Sequence, residues 1–86
     1  MNLLQREPNV IVADADGQPL LLHVTNWTYL SFNEVGGRIW QHLAEPRSRD
    51  ELLGLLASEF DAPGAQIGAD VDAFVSVLKA KGFLAA

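Results

Sequence analysis

The first third of the chain alternates short apolar runs with turn-forming residues. Val10-Ile11-Val12-Ala13 is β-branched and apolar, which predicts a strand near 10–14. Asp14-Ala15-Asp16-Gly17 follows, and its Asp-Gly pair supplies the positive φ that tight hairpin turns demand. Leu20-Leu21-Leu22-His23-Val24 reads as the returning strand, near 19–24, with Thr25-Asn26 as a second turn. Trp27-Thr28-Tyr29-Leu30-Ser31-Phe32 is dense in aromatic and β-branched residues and predicts a third strand, near 27–32. Alternation places Thr28, Leu30 and Phe32 on one face and Trp27, Tyr29 and Ser31 on the other. Three strands joined by short turns make an antiparallel meander with two edges. Residues 1–9, with Pro8 and mixed polarity, read as a lead-in prone to fraying.

The periodicity then changes to that of helices. Asn33 is a good N-cap and Glu34 suits the positive end of a helix. Val35, Ile39 and Leu43 recur every four residues, Trp40 widens the stripe, and Pro46 stops it, giving a helix near 34–44. Ser48-Arg49-Asp50-Glu51 is a capping box for a second helix near 49–60, with Leu52, Leu53, Leu56 and Phe60 inward. A third helix, near 64–81, turns Ile67, Val71, Phe74, Val75 and Leu78 inward. Gly82 suits the position after its end, and Phe83-Leu84 closes back onto the core. The order predicts one α+β domain over residues 1–86, a three-stranded antiparallel β-sheet packed on a three-helix winged helix-turn-helix. Its core includes Ile39, Leu56, Phe74 and Leu78.

Composition narrows the chemistry. With 86 residues and 49% apolar content there is room for one thin core and none for a separate substrate domain. Six basic residues against eleven acidic ones give a net charge of −5, which disfavours phosphate backbones and anionic lipid surfaces as partners. There is no cysteine, so disulfides, thiolate catalysis and cysteine-ligated zinc are excluded. No signal peptide and no apolar run of membrane-spanning length is visible, and a soluble cytoplasmic protein is expected.

Catalytic candidates are few. His23 and His42 have no metal-ligand spacing between them, and tolerated, partly exposed imidazoles are the simpler reading. Asp14-x-Asp16-Gly17 lacks the later oxygen ligands of a calcium loop and is better read as a hairpin turn. Gly36-Gly37 completes no phosphate loop and instead permits close packing against the sheet. No catalytic residue, metal or cofactor is therefore expected. Two features point to binding. The aromatic third strand lies at a sheet edge that can pair with an extended peptide. The third helix carries Ala73 and Val77 beside its core stripe, on the flank of Asp70, where they can wall a groove.

Several segments together resemble one family. Phe32-Asn33-Glu34-Val35-Gly36-Gly37-Arg38-Ile39-Trp40 resembles the Leu-Asn-x-x-Gly-x-x-Ile-Trp signature of PqqD-like proteins. Ser48-x-x-Glu51-Leu52 with Leu56, then Phe60-Asp61, resembles the family's second helix. Asp70-Val71-x-x-Phe74-Val75-x-x-Leu78 with Gly82-Phe83-Leu84 resembles its closing helix and tail. Phe32 and Phe83 depart from the usual leucines. The resemblance spans about Val10 to Leu84 and implies a RiPP recognition element. Such domains bind the leader of a ribosomally made precursor peptide as an added strand on the third strand. The leader's side chains enter the groove against the third helix, and the domain presents the peptide to a maturation enzyme. A chain of this length looks most like the small partner of a split lasso-peptide leader peptidase, with a PqqD-type chaperone for a radical enzyme as the near alternative.

The expected contact set is Trp27, Thr28, Tyr29, Leu30, Ser31 and Phe32 on the strand, with Asp70, Ala73, Phe74, Val77 and Lys81 on the helix. Asp70 and Lys81 would fix register with charged leader residues. Rival readings are a winged-helix DNA-binding regulator with Arg38, Arg47 and Arg49 as its basic patch, a subunit that dimerises through the sheet, and a small enzyme. Asp70 and Asp72 oppose the first, because they lie where a recognition helix would meet phosphates.

Overall fold

The computed structural model describes residues 3–85. Its elements follow in the order β1 (Val10–Ala15), β2 (Gln18–His23), β3 (Tyr29–Ser31), α1 (Glu34–His42), α2 (Arg49–Glu59) and α3 (Gly64–Ala80). The fold is α+β, with an antiparallel sheet in the order β1-β2-β3. The elements fall within two residues of those expected, except that the third strand is half as long.

Each turn has a local cause. Asp16 and Gly17, between β1 and β2, have φ of 54° and 83°, the two successive positive values of a type I′ hairpin. The second connection is wider. His23 donates its N–H to the Thr28 carbonyl (2.8 Å), and the His23 carbonyl accepts from Trp27 (2.8 Å). Trp27 takes φ 62°, and the Thr28 amide turns to the Asn26 side chain (2.9 Å). The aromatic run therefore does not begin as strand: Trp27 closes the loop. Phe32 lies past the other end of β3, where Asn33 turns the chain into α1.

The helix caps are those the sequence indicates. Asn33 Oδ1 accepts from Gly36 N–H (2.8 Å), and the Ser48–Glu51 capping box is complete in both directions. α1 stops at His42, with Leu43 as its C-cap, so Pro46 lies out in the following loop. At the end of α3, Gly82 takes φ 78°, Phe83 N–H bonds the Leu78 carbonyl and Gly82 N–H that of Lys79. This is a Schellman ending, and it throws Phe83 into the core.

The core is one cluster in which Leu21, Ile39, Leu43, Leu52, Leu56, Val71, Leu78 and Phe83 are essentially inaccessible. Phe74, expected there, is half-buried, because the flank of α3 that carries it opens onto a groove. His23 is buried rather than partly exposed: its ring stacks on Phe83 (6.1 Å) and Nδ1 accepts from Thr25 N–H (3.3 Å). From residue 3 onward the lead-in is not frayed. Leu4 and Arg47 exchange backbone hydrogen bonds of 2.7 and 3.1 Å, Glu7 N–H bonds the Phe83 carbonyl, and Ala85 N–H bonds that of Gln5. The Arg6 guanidinium lies 4.6 Å over the Trp40 ring and donates to the Trp40 carbonyl. No helix among the described residues is long and apolar enough to cross a membrane.

Candidate peptide-binding site

β3 is an edge strand, and the hairpin sets which of its backbone groups are free. Because His23 N–H bonds the carbonyl of Thr28 opposite it, alternation makes Leu21 and Leu30 the next hydrogen-bonded pair. Leu30 thus spends its amide and carbonyl on β2. Tyr29 and Ser31 direct theirs away from the sheet, and no other backbone group bonds them among the described residues. Two residues, spaced about 7 Å along the strand, therefore offer donors and acceptors to an incoming chain.

Beside this edge runs an open groove of about 510 Å³. Leu30, Ser31 and Phe32 form one bank, and Asp70, Ala73, Phe74 and Val77 of α3 form the other. Asn33, Val35 and Gly36, at the start of α1, contribute to it, as does Gln18. The glycine is required by geometry. A Cβ on Gly36 would lie 3.0 Å from Phe74 Cε1 and 3.1 Å from Phe32 Cβ, and one on Gly37 would lie 2.9 Å from Phe32 Cε1. The pair allows close approach of two phenylalanines to α1, rather than of the sheet as a whole. Val77 is 37% exposed, an apolar side chain in water on the groove wall. Asp70 is exposed and makes no ion pair among the described residues, so its carboxylate faces the groove unneutralised.

Of the eleven residues expected from sequence, the structure brings seven together around the groove: Leu30, Ser31, Phe32, Asp70, Ala73, Phe74 and Val77. Tyr29 does not line the groove: it precedes Leu30 on the edge strand, is 65% exposed and turns its side chain to the sheet's outer face. Trp27 is 72% exposed in the loop before the strand, and Thr28 is half-buried on the inner face. Lys81, the C-cap of α3, lies on the same helix flank as Asp70 but about 16 Å further along the axis, and it does not line the groove. Gln18, Asn33, Val35 and Gly36 were not among the expected contacts. Asn33 and Val35 were legible only as a cap and a core residue. Their second role arises because α1 starts directly after the edge strand.

Three of the four arginines are paired with carboxylates. Arg38 donates to both Glu59 carboxylate oxygens (3.0 and 2.8 Å), and His42 Nε2 lies 2.7 Å from Glu59. The Arg38 hydrogen bond, helped by His42, holds the Glu59 carboxyl down to about 2. Arg49 grips Asp72 (2.6 and 3.0 Å), lowering the carboxyl of Asp72, and Arg47 lies near Glu45 and Glu51. All three arginines of the supposed basic patch thus face carboxylates.

An open strand edge beside an apolar groove is the architecture of a domain that takes up an extended chain. The model of the family described as Coenzyme PQQ synthesis protein D (PqqD) matches residues 20–84, and the chain belongs to that family. Among solved structures it resembles TbiB1 in complex with the TbiA(beta) leader peptide, with a TM-score of 0.78, 28% identity and 93% of each chain covered. It also resembles lasso peptide synthetase B1 complexed with the leader peptide, with a TM-score of 0.78 and 25% identity, over 96% of this chain and 98% of that one. No curated protein matches it in sequence.

Proposed function

We propose that the protein binds the leader segment of a ribosomally made precursor peptide as a fourth strand on β3. It then delivers the precursor to a maturation enzyme, a leader peptidase of lasso-peptide biosynthesis. The observation that carries this reading is the pair of outward-facing backbone positions, Tyr29 and Ser31, running along an apolar groove. The likeness in fold to two leader-peptide complexes supports it.

Backbone pairing supplies affinity that is indifferent to sequence, and the groove supplies selection. Leader side chains that alternate toward the helices rest against Leu30, Phe32, Ala73, Phe74 and Val77. Asp70 takes a basic leader residue, and Lys81 meets an acidic one only if the leader extends about three helical turns from Asp70. The domain itself is a carrier and not a catalyst: its carboxylates are engaged in ion pairs or solvated, and the chemistry belongs to the enzyme it serves. The pairing of Arg38, Arg47 and Arg49 with carboxylates counts against the DNA-binding reading.

The test is calorimetric titration with a synthetic leader from a precursor encoded beside this chain. Saturable one-to-one binding is expected, lost when the leader's apolar anchors are changed to aspartate. No binding to any such leader would sink the proposal. A neighbouring peptidase and cyclase would support the lasso assignment, whereas a radical iron–sulfur enzyme would favour the PqqD-type chaperone.

A further inference from the structure

The opposite margin of the sheet, β1, is as open as β3 but serves no groove. The hydrogen bond from Val24 N–H to the Asn9 carbonyl (2.9 Å) sets the alternation along this hairpin. Ile11, Ala13 and Ala15 face β2, while Val10, Val12 and Asp14 direct their N–H and C=O groups outward. No other backbone group among the described residues bonds these three. Few of the devices that usually protect an edge are present: the strand has one charge, Asp14, near its end, but no proline or lysine, and its pairing with β2 runs unbroken from Val10 to Ala15.

The side chains say what kind of occupant fits. Ile11 and Val12, 50% and 56% exposed, are the most exposed large aliphatic residues among those described. Being adjacent in a strand, they lie on opposite faces of the sheet. A partner resting on either face would cover only one of them. A strand laid along the edge covers both.

We propose that this occupant is a second copy of the chain, with the two β1 strands pairing antiparallel about a two-fold axis at Val12. The sequence is self-complementary in that register. Val12 faces Val12 of the second copy, Val10 faces Asp14, and Ile11 faces Ala13, large against small. Each outward-facing pair exchanges two hydrogen bonds. The neighbouring registers fail. An axis at Asp14 sets like charges opposite each other, an axis at Val10 brings in Pro8, which has no N–H, and axes at Ile11 or Ala13 match residues whose polar groups already face β2. The product is a six-stranded sheet with β3 at both far margins, about 24 Å apart, so both grooves stay open to peptide. Each copy carries −5, so the pairing strengthens with added salt.

The natural absence of cysteine allows a register-specific test on the full chain. Across the two-fold, the Val12 Cα atoms would be about 5.5 Å apart, within disulfide reach, whereas the Asp14 Cα atoms would be about 14 Å apart. Under mild oxidation, Val12→Cys is expected to cross-link at least about ten-fold faster than Asp14→Cys. In sedimentation velocity, wild type should shift toward dimer as concentration rises to the millimolar range, more so in salt. Val12→Lys, at an exposed position that spares the core, should stay monomeric with an unchanged circular dichroism spectrum. A wild type that is monomeric at millimolar concentration, a folded Val12→Lys that still dimerises, or equal cross-linking of the two cysteine variants would each overturn the proposal.

Discussion

Replacing Val77 by glutamate separates peptide uptake from folding. Val77 is 37% exposed on the groove wall and outside the buried cluster, so the free protein can hold the new carboxylate in water. The loss of folding stability should stay within about 1 kcal/mol, as for substitutions away from the core. Once a leader strand covers the groove, that carboxylate is stripped of water without a partner. Burying an unpaired charge costs about 3 kcal/mol or more, and each 1.4 kcal/mol is a factor of about ten in Kd. A loss of affinity of at least about 100-fold is therefore expected. Val77→Ala, which removes two methyl groups and adds no charge, should weaken binding by only about five-fold, near 1 kcal/mol. The assays are calorimetric titration with the leader and thermal denaturation of each variant. If Val77→Glu melts like wild type and binds within about three-fold of it, the groove between β3 and α3 is not the peptide site.

Leu78→Ala opens a cavity at a fully buried position and should cost about 2–5 kcal/mol in urea denaturation, so its loss of peptide binding would report folding rather than contact. Gly36→Ala gains up to about 1 kcal/mol of helix propensity, but the new methyl meets Phe74 at 3.0 Å and pushes it into the groove. The methyl also meets Phe32 Cβ at 3.1 Å, an atom held close to the backbone, so the variant should melt below wild type and bind leader more weakly in the same titration; a variant that melts and binds like wild type would show that Gly36 does not shape the floor. Glu59 is depressed from 4.5 to about 2, so its contribution to holding α1 on α2 is present above pH 4.5 and lost as pH falls through about 2. In Arg38→Gln the Glu59 carboxyl, followed by carbon-detected NMR, should titrate higher, and an unchanged midpoint would remove Arg38 as the cause.

Local signals in the sequence were sufficient for most elements. Asp16-Gly17, Asn33, Ser48 with Glu51, and Gly82 each act within four residues, and each forms the turn or cap its chemistry implies. What stayed hidden depends on residues distant in the chain. Trp27 reads as strand by composition, yet the loop closed by His23 and Asn26 forces it to positive φ. The lead-in reads as loose, yet its partners are Arg47, Phe83 and Ala85. The amphipathic flank of α3 was legible as Ala73 and Val77 beside the core stripe, whereas the place of Gly36 beneath Phe74 depends on how α1 and α3 cross. Lys81 shares a helical face with Asp70, but periodicity says nothing of where a groove ends.

The most direct test of strand addition is amide hydrogen exchange, residue by residue, without and with saturating leader peptide. In the free protein Leu30 is paired to β2 and should exchange slowly, while Tyr29 and Ser31 point outward and should exchange fast. On saturation the account predicts that Tyr29 and Ser31 become protected, with Leu30 changing least and the outward amides of β1, Val10 and Val12, unaffected. Saturation that leaves Tyr29 and Ser31 as unprotected as before would contradict it.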